Sequence, residues 1–385
     1  ALFYSLSTLY KPLGTLLLVQ EMFNKRNQSI QFNVGKLIPC AAFLNSDEDN
    51  KQLCKRFRKH ALNLAKKNKP PLFETVSTLM HPANSKIIKK TLYQSILLGE
   101  TGDGKKIFLY DFAHDCPVMA EIARLRELTF RTVEEGTGFA LDMDKFDLYY
   151  RHIVLWDDND LEIVGAYRIG EGAHIMEKYG IEGFYTHTLF DLQGHFASYL
   201  PDSIELGRSF VQPRYWGQRS LDYLWYGIGA YLRGQTDVKY LFGCVSMSHA
   251  YPQLAKERII SFYRKQFSSD FFPANARRPF VVSDMNTQFA ETAFNTDYST
   301  SFKILNSELK KMGVKVPVLY KQYVELCIDD GCHFIDFNVD PDFNNCVDGL
   351  IMVEIDKIAP KKKNRYIINT LNAKRNDTLA AIPLE

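Results

Sequence analysis

The chain is 385 residues long, which at about 100 to 200 residues per domain predicts two or three domains. Hydrophobic residues at 46% and charged residues at 24% exclude disorder, collagen and a coiled coil. Lys plus Arg total 47 against 45 Asp plus Glu, a net charge of +2, so no bulk positive charge marks nucleic acid as a partner.

Aromatics at 13% favour a β-rich architecture and sizeable apolar sites. Seven scattered cysteines with no C-x-x-C pair read as reduced thiols of a cytoplasmic chain. The start, Ala1-Leu2-Phe3-Tyr4, has neither an initiator Met nor a signal peptide and reads as a cut end. The apolar run 13–19 is far shorter than the roughly 20 residues of a spanning helix, so no transmembrane helix is expected.

In chain order, a helix is expected over 15–23 and a strand over 29–36. Ser46 followed by Asp47, Glu48 and Asp49 opens a helix running to about Asn68, with Leu53, Phe57, Ala61 and Leu64 as its apolar stripe. Lys51, Lys55, Arg58 and Lys59 crowd the rest, a face suited either to water or to an anionic membrane surface. Residues 70–105 form a connecting segment with a helix over 85–98 and a turn at Gly102-Asp103-Gly104. A strand follows over 105–110, a helix over 117–131, a hairpin over 149–156 and 163–169, a strand over 203–211, a helix over 220–232 and a strand over 238–245. This order defines a mixed α/β domain. Helices over 253–265 and 300–312, a segment over 318–326, a strand over 349–355 and the basic Lys361-Lys362-Lys363 complete the chain.

One block is densely charged: Glu121 to Arg131, then Glu134-Glu135-Gly136-Thr137-Gly138, then Leu141 to Asp147. Together with Gly165-Ala166-Tyr167-Arg168-Ile169-Gly170 and Ile204-Glu205-Leu206-Gly207-Arg208-Ser209-Phe210, it resembles the ornithine-lipid N-acyltransferases. These are often called hemolysin-like, have the GNAT fold and are relatives of the acyl-homoserine-lactone synthases. The resemblance covers about residues 107–355. It implies a GNAT-like mixed sheet flanked by helices over 106–385, and transfer of a long (3-hydroxy)acyl chain from acyl carrier protein to the α-amine of an amino acid, ornithine or glycine.

Aminolysis of a thioester needs a base for the amine proton and donors for the developing oxyanion. Glu205 is the candidate base and Arg208 its partner, on opposite faces of the strand unless a bulge intervenes. The alternative reading places both in a structural ion-pair network with Arg126, Asp144, Asp147 and Arg168. The resemblance implies substrate-binding roles for Arg126, Phe130, Arg131, Asp144, Asp147 and Arg168, with Arg168 or Arg131 clamping the acceptor carboxylate.

Arg214-Tyr215-Trp216-Gly217-Gln218-Arg219-Ser220 resembles the GNAT pyrophosphate loop. Arg214, Gly217, Arg219 and Ser220 are therefore the donor-binding candidates. Arg219, where a small residue is usual, suits the single phosphate of an acyl-phosphopantetheine better than coenzyme A. No cofactor is expected besides that donor substrate.

Asp340, Asp342 and Asn344 have calcium-loop spacing, but Asn345 and Ile351 stand where Gly and Glu are required. Cys327, Cys332 and His333 lack a fourth ligand and read as a structural loop, so no metal is expected. His152 and Asp157 have the His-x4-Asp spacing of glycerolipid O-acyltransferases, but inside a strand, which points them to opposite faces. Residues 1–69 resemble the C-terminal part of that same O-acyltransferase family through Gln20-Glu21-Met22 and Val34 to Pro39, with the catalytic half expected upstream of Ala1. A peripheral site on the inner face of the cytoplasmic membrane is the matching location. Two rival readings stay open: synthesis of an acyl-homoserine-lactone or N-acyl amino acid signal, and a non-catalytic scaffold that binds acyl carrier protein or lipid.

Overall fold

The computed structural model describes residues 22–29, 32–44, 48–66, 69–114, 117–328 and 330–368. The chain divides into two compact units between Val76 and Ser77.

In the first unit, helix α1 spans Asn50–Leu64. Its start is a capping box in which the Asp49 side chain accepts from the Gln52 backbone and Gln52 reaches back. The cap is thus Asp49, and the helix stops four residues short of Asn68. Leu53, Phe57 and His60 face inward, whereas Ala61 and Leu64 are exposed. Phe57 stacks on Phe73 at 4.4 Å and Arg56 covers the other ring contact at 4.4 Å while donating to the Leu72 carbonyl. The strand expected over 29–36 is absent among the described residues, where only Leu37 bridges to Val76. The helix expected over 15–23 lies outside the described residues except for its last two.

The second unit is a sheet of eight strands. Helix α2 (Ser85–Leu92) precedes β1 (Ile96–Glu100), β2 (Lys106–Tyr110), α3 (Pro117–Thr132), β3 (Arg151–Asp157), β4 (Glu162–Glu171), α4 (Gly172–Tyr179) and β5 (Ser203–Val211). Then come α5 (Ser220–Leu232), β6 (Tyr240–Met247), α6 (Gln253–Phe267), α7 (Asp284–Ala293), α8 (Tyr298–Lys311), α9 (Val318–Val324), β7 (Cys332–Asp340) and β8 (Cys346–Glu354). The spatial order is β1-β2-β3-β4-β5-β6-β8-β7, antiparallel throughout except for β5 beside β6.

Period-two alternation loads both faces. On β3, Ile153 and Leu155 join α5 and α6 in one core, while Val154 and Trp156 join Met119 and Ile122 of α3 in another. No helix among the described residues is long and apolar enough to cross a membrane.

Two expectations are corrected. The helix drawn over 85–98 ends at Leu92, because residues 96–100 pair with β2 across the Gly102–Gly104 turn, and that pairing overrides local helical preference. The segment carrying Cys332 and His333, read as a structural loop, is instead strand β7 (Cys332–Asp340). Its polar side chains bind a neighbouring segment: Asp336 accepts from the Ala276 backbone at 2.9 Å and Asn338 from the Arg278 backbone at 2.7 Å.

Candidate active site

Strands β5 and β6 pair at only three positions, Ser203 to Glu205 with Tyr240 to Phe242, and then part. Gly243 lets them meet there: its φ is +151°, and a Cβ would lie 2.1 Å from the Leu206 carbonyl. Beyond that point the strands splay around a cleft of about 870 Å³, lined by Leu206 to Val211, by Cys244 and Ser246 to Ser248, and by Tyr215 to Gln218 with Ser220 and Leu221. Splaying leaves backbone N–H and C=O groups of both strands without a ladder partner, which suits an extended amide-containing ligand. At the cleft's end, Gly217 (φ +77°) turns the chain into the N-terminus of α5, where the Ser220 hydroxyl is buried and makes no hydrogen bond among the described residues.

A second cleft of about 690 Å³ lies beside the first, and Tyr185, Arg208 and Phe343 line both. Arg208 reaches this wall through a bulge: Arg208 and Ser209 together oppose the single residue Tyr167 of β4. Its φ is +47°, a strained value for a side-chain-bearing residue. The guanidinium lies 4.5 Å from the Tyr185 ring and 5.0 Å from the Phe343 ring, donates to the Tyr185 hydroxyl, and faces Asp142 at 3.2 Å. The bulge turns Arg208 to the face that carries Glu205 and Arg168, so the two predicted partners share a side after all.

Behind the second cleft is a buried ion network. Arg126 donates to both oxygens of Asp147, at 2.8 and 2.7 Å, and Arg168 donates to Asp144 at 2.7 Å and Asp147 at 3.2 Å. Burial raises the Asp147 carboxyl, but the Arg126 and Arg168 charges outweigh it and hold the group far below the usual carboxylate range. Among the described residues the Nε and Nη2 of Arg168 make no hydrogen bond, and the rings of Tyr185, Tyr150 and Phe146 surround the guanidinium at 5.1 to 5.8 Å. His152 stands against Asp147 at 3.8 Å, pushed down to about 4 by burial, whereas Asp157 faces Lys105 at the hairpin turn. The pair with O-acyltransferase spacing therefore does not act together.

Of the sequence candidates, Phe130, Gly217 and Ser220 line the first cleft, Asp144 the second, and Arg208 both. Arg126, Asp147 and Arg168 form the layer behind. Arg131 is committed elsewhere, to Glu127 and to the Ser77 and Phe139 carbonyls. Arg214 pairs with Glu162 and Asp160, and Arg219 with Asp222, both at the surface. Glu205 lines neither cleft: Thr186 donates to it through its backbone at 2.7 Å and its hydroxyl at 2.6 Å, and the Tyr150 hydroxyl holds the other oxygen. His333, raised as a metal ligand, bonds Glu354 at 3.0 Å.

Three acids line the first cleft, Glu134, Glu135 and Asp348, and sequence reasoning gave none of them a role. Burial pushes Glu135 up to about 7, against a hydrogen bond from Ser246. Burial, then the Asp340 and Glu135 charges, push Asp348 up to about 8. Arg277 and Arg278 of the second cleft were passed over as well, and Asp340 was weighed only as a calcium ligand.

Residues 125–226, from α3 to α5, match the family model of the acetyltransferase (GNAT) domain. The glycine N(alpha)-acyltransferase of Bacteroides thetaiotaomicron is 29% identical over 306 residues, 75% of this chain and 89% of that one. That of Phocaeicola vulgatus is 29% identical over 303 residues, 75% of this chain and 92% of that one. The L-ornithine N(alpha)-acyltransferase of Brucella abortus is 32% identical over 149 residues, 34% and 51% of the two chains. With the splayed strands, these matches define the chain as an acyltransferase with a GNAT fold. Its similarity runs to amino acid N-acyltransferases over three quarters of its length. A solved CoA-dependent acyl-homoserine lactone synthase, MesI, is 10% identical, and the match covers 60% of this chain and 75% of that one at a TM-score of 0.28.

Proposed function

We propose that the protein is an N-acyltransferase that moves a long (3-hydroxy)acyl chain from the thioester of acyl carrier protein to the α-amine of an amino acid, glycine or ornithine, as the first step of making an amino-acid-containing membrane lipid. The observation that carries this reading is the meeting of two clefts at Arg208. The first is long, largely apolar and ends at a helix N-terminus, as a phosphopantetheine-linked acyl chain requires. The second carries Arg277, Arg278 and Arg208 beside Asp144 and Asp340, matching charges for a zwitterionic amino acid. Glycine as acceptor draws its support from the relatives named glycine N(alpha)-acyltransferase, and ornithine from the shorter match to an L-ornithine N(alpha)-acyltransferase. The donor arrives at the phosphate end near Gly217 and Ser220, and Arg208 faces the reacting carbonyl from the wall between the clefts.

The test is free-thiol release from 3-hydroxyacyl carrier protein, with acyl-CoA run in parallel, in the presence of glycine, ornithine or no amine. Amine-dependent thiol release with the carrier protein supports the reading, and no release with any amine refutes it. For residues 1–69 the resemblance to the end of a glycerolipid O-acyltransferase domain supports a companion role in lipid assembly. The exposed Lys51, Lys55, Arg58, Lys59, Leu62 and Leu64 of α1 support peripheral binding to an anionic membrane. Co-sedimentation with anionic but not neutral vesicles is expected.

A further inference from the structure

We propose that Asp348, with Glu135 held beside it, is the carboxylate that takes the proton of the acceptor amine; the inference rests on the acyl-transfer reading above. Both side chains line the donor cleft. Ser246 of β6 links them: its hydroxyl donates to Glu135 at 2.8 Å, and it is the direct cross-strand partner of Asp348 on β8. The side chain of Asp348 accepts from the weak donor Cys346 at 3.7 Å. Asp340 brings a third carboxylate from the acceptor cleft, so the acids stand where donor and acceptor meet.

An independent feature points into the same place. The Tyr320 hydroxyl is fully buried, makes no hydrogen bond among the described residues, and feels the charges of Asp348 and Glu135. Glu205, by contrast, is spent on three donors and lines neither cleft.

The groups facing Asp348 are Glu135 after α3, Tyr185 before β5, Arg208 on β5, Cys244 on β6, Tyr320 on α9, Asp340 on β7 and Cys346 on β8. Arg208 is the single cation among these, set against the two acids Glu135 and Asp340 and Asp348 itself. Burial and the neighbouring acids raise Asp348 to about 8, near the range in which a base works best at neutral pH. In the step, ionised Asp348 takes one proton from the substrate ammonium, and the free amine attacks the thioester carbonyl. The C–N bond forms, the C–S bond breaks, and the second amine proton ends on the departing thiolate. The Asp348 proton passes to solvent.

Asp348→Asn should lower kcat about a hundredfold near pH 7. The loss should shrink to less than tenfold near pH 9.5, where solvent deprotonates the amine without help. A merely structural role would give the same loss at both values. Glu135→Gln should shift the acidic limb of the pH–rate profile down by about one unit, because a neighbouring negative charge is gone. Wild-type rates in Asp348→Asn, or a loss that does not depend on pH, overturn the inference while leaving the acyltransferase reading intact. If Asp348→Asn shows no thermal unfolding transition, the Glu135→Gln limb decides, and an unmoved limb overturns the proposal. An inactive wild type instead overturns the functional reading itself.

Discussion

Replacing Asp147 by Asn tests the claim that a buried ion network holds the acceptor side of the site in place. Asp147 has no exposed surface and receives both Arg126 nitrogens and Arg168, together with the Asp144 backbone at 2.9 Å. Asn keeps the shape but removes the charge, leaving each buried guanidinium with one remaining carboxylate partner, Asp142 at 3.4 Å for Arg126 and Asp144 at 2.7 Å for Arg168. Breaking a buried pair costs about 3 to 5 kcal/mol, and the remaining partners place this case near the lower end, about 3 kcal/mol. For a unit of this size, about 2 °C per kcal/mol gives a Tm lower by about 6 °C at pH 7, read by circular dichroism or differential scanning fluorimetry. The pH dependence has a fixed sign. The folded carboxyl is held below its unfolded value of about 3.9, so its stabilisation is fully present above that pH and is lost as pH falls further. The gap between wild type and variant should therefore be constant near neutrality and narrow below about pH 4. A Tm within about 1 °C of wild type at pH 7 would refute the reasoning.

Three further outcomes follow from the same geometry. Gly243→Ala should cost about 2 to 4 kcal/mol or prevent folding, because its Cβ would press on the Leu206 carbonyl at 2.1 Å with φ at +151°; a Tm unchanged in a melting experiment would contradict this. Trp216 lines the donor cleft half-exposed, its indole N–H on the Val211 carbonyl at 2.6 Å, so Trp216→Ala should raise KM about tenfold for a long acyl donor and much less for a short one. Equal effects on both donors would remove Trp216 from the acyl path. Arg278 is exposed in the acceptor cleft, so Arg278→Ala should raise the amino acid KM about three- to tenfold with kcat little changed; steady-state kinetics showing a fall in kcat alone would argue against carboxylate binding there.

Most of the fold was legible where period and turn chemistry agreed. The hairpin around the 157–160 turn, the strand Ser203–Val211 and the helix Ser220–Leu232 all lie where alternation and spacing put them. The misses have a common physical cause, tertiary partners that no local pattern reveals. Strand β1 sits inside a helix-like run because β2 recruits it, and β7 hides behind Asp336 and Asn338, whose side chains serve a segment 60 residues away. In the site, the Arg126, Asp147 and Arg168 network was one of two readings that the sequence left open, since charge density alone does not separate a solvated face from a buried cluster. Asp348 was not, since its neighbour Glu135 is more than 200 residues earlier and only the sheet order β6-β8-β7 unites them. Arg208 was readable as a candidate but not in its orientation, which depends on a bulge that strict alternation cannot foresee.

The central claim, amide formation on an amino acid, is tested most directly by mass spectrometry of the product made from 3-hydroxyacyl carrier protein and 15N-labelled glycine or ornithine. An acyl amide carrying the label at its α-nitrogen, formed only with protein present, is the predicted result. Free fatty acid alone, or an acyl chain on any atom other than that nitrogen, would contradict the account.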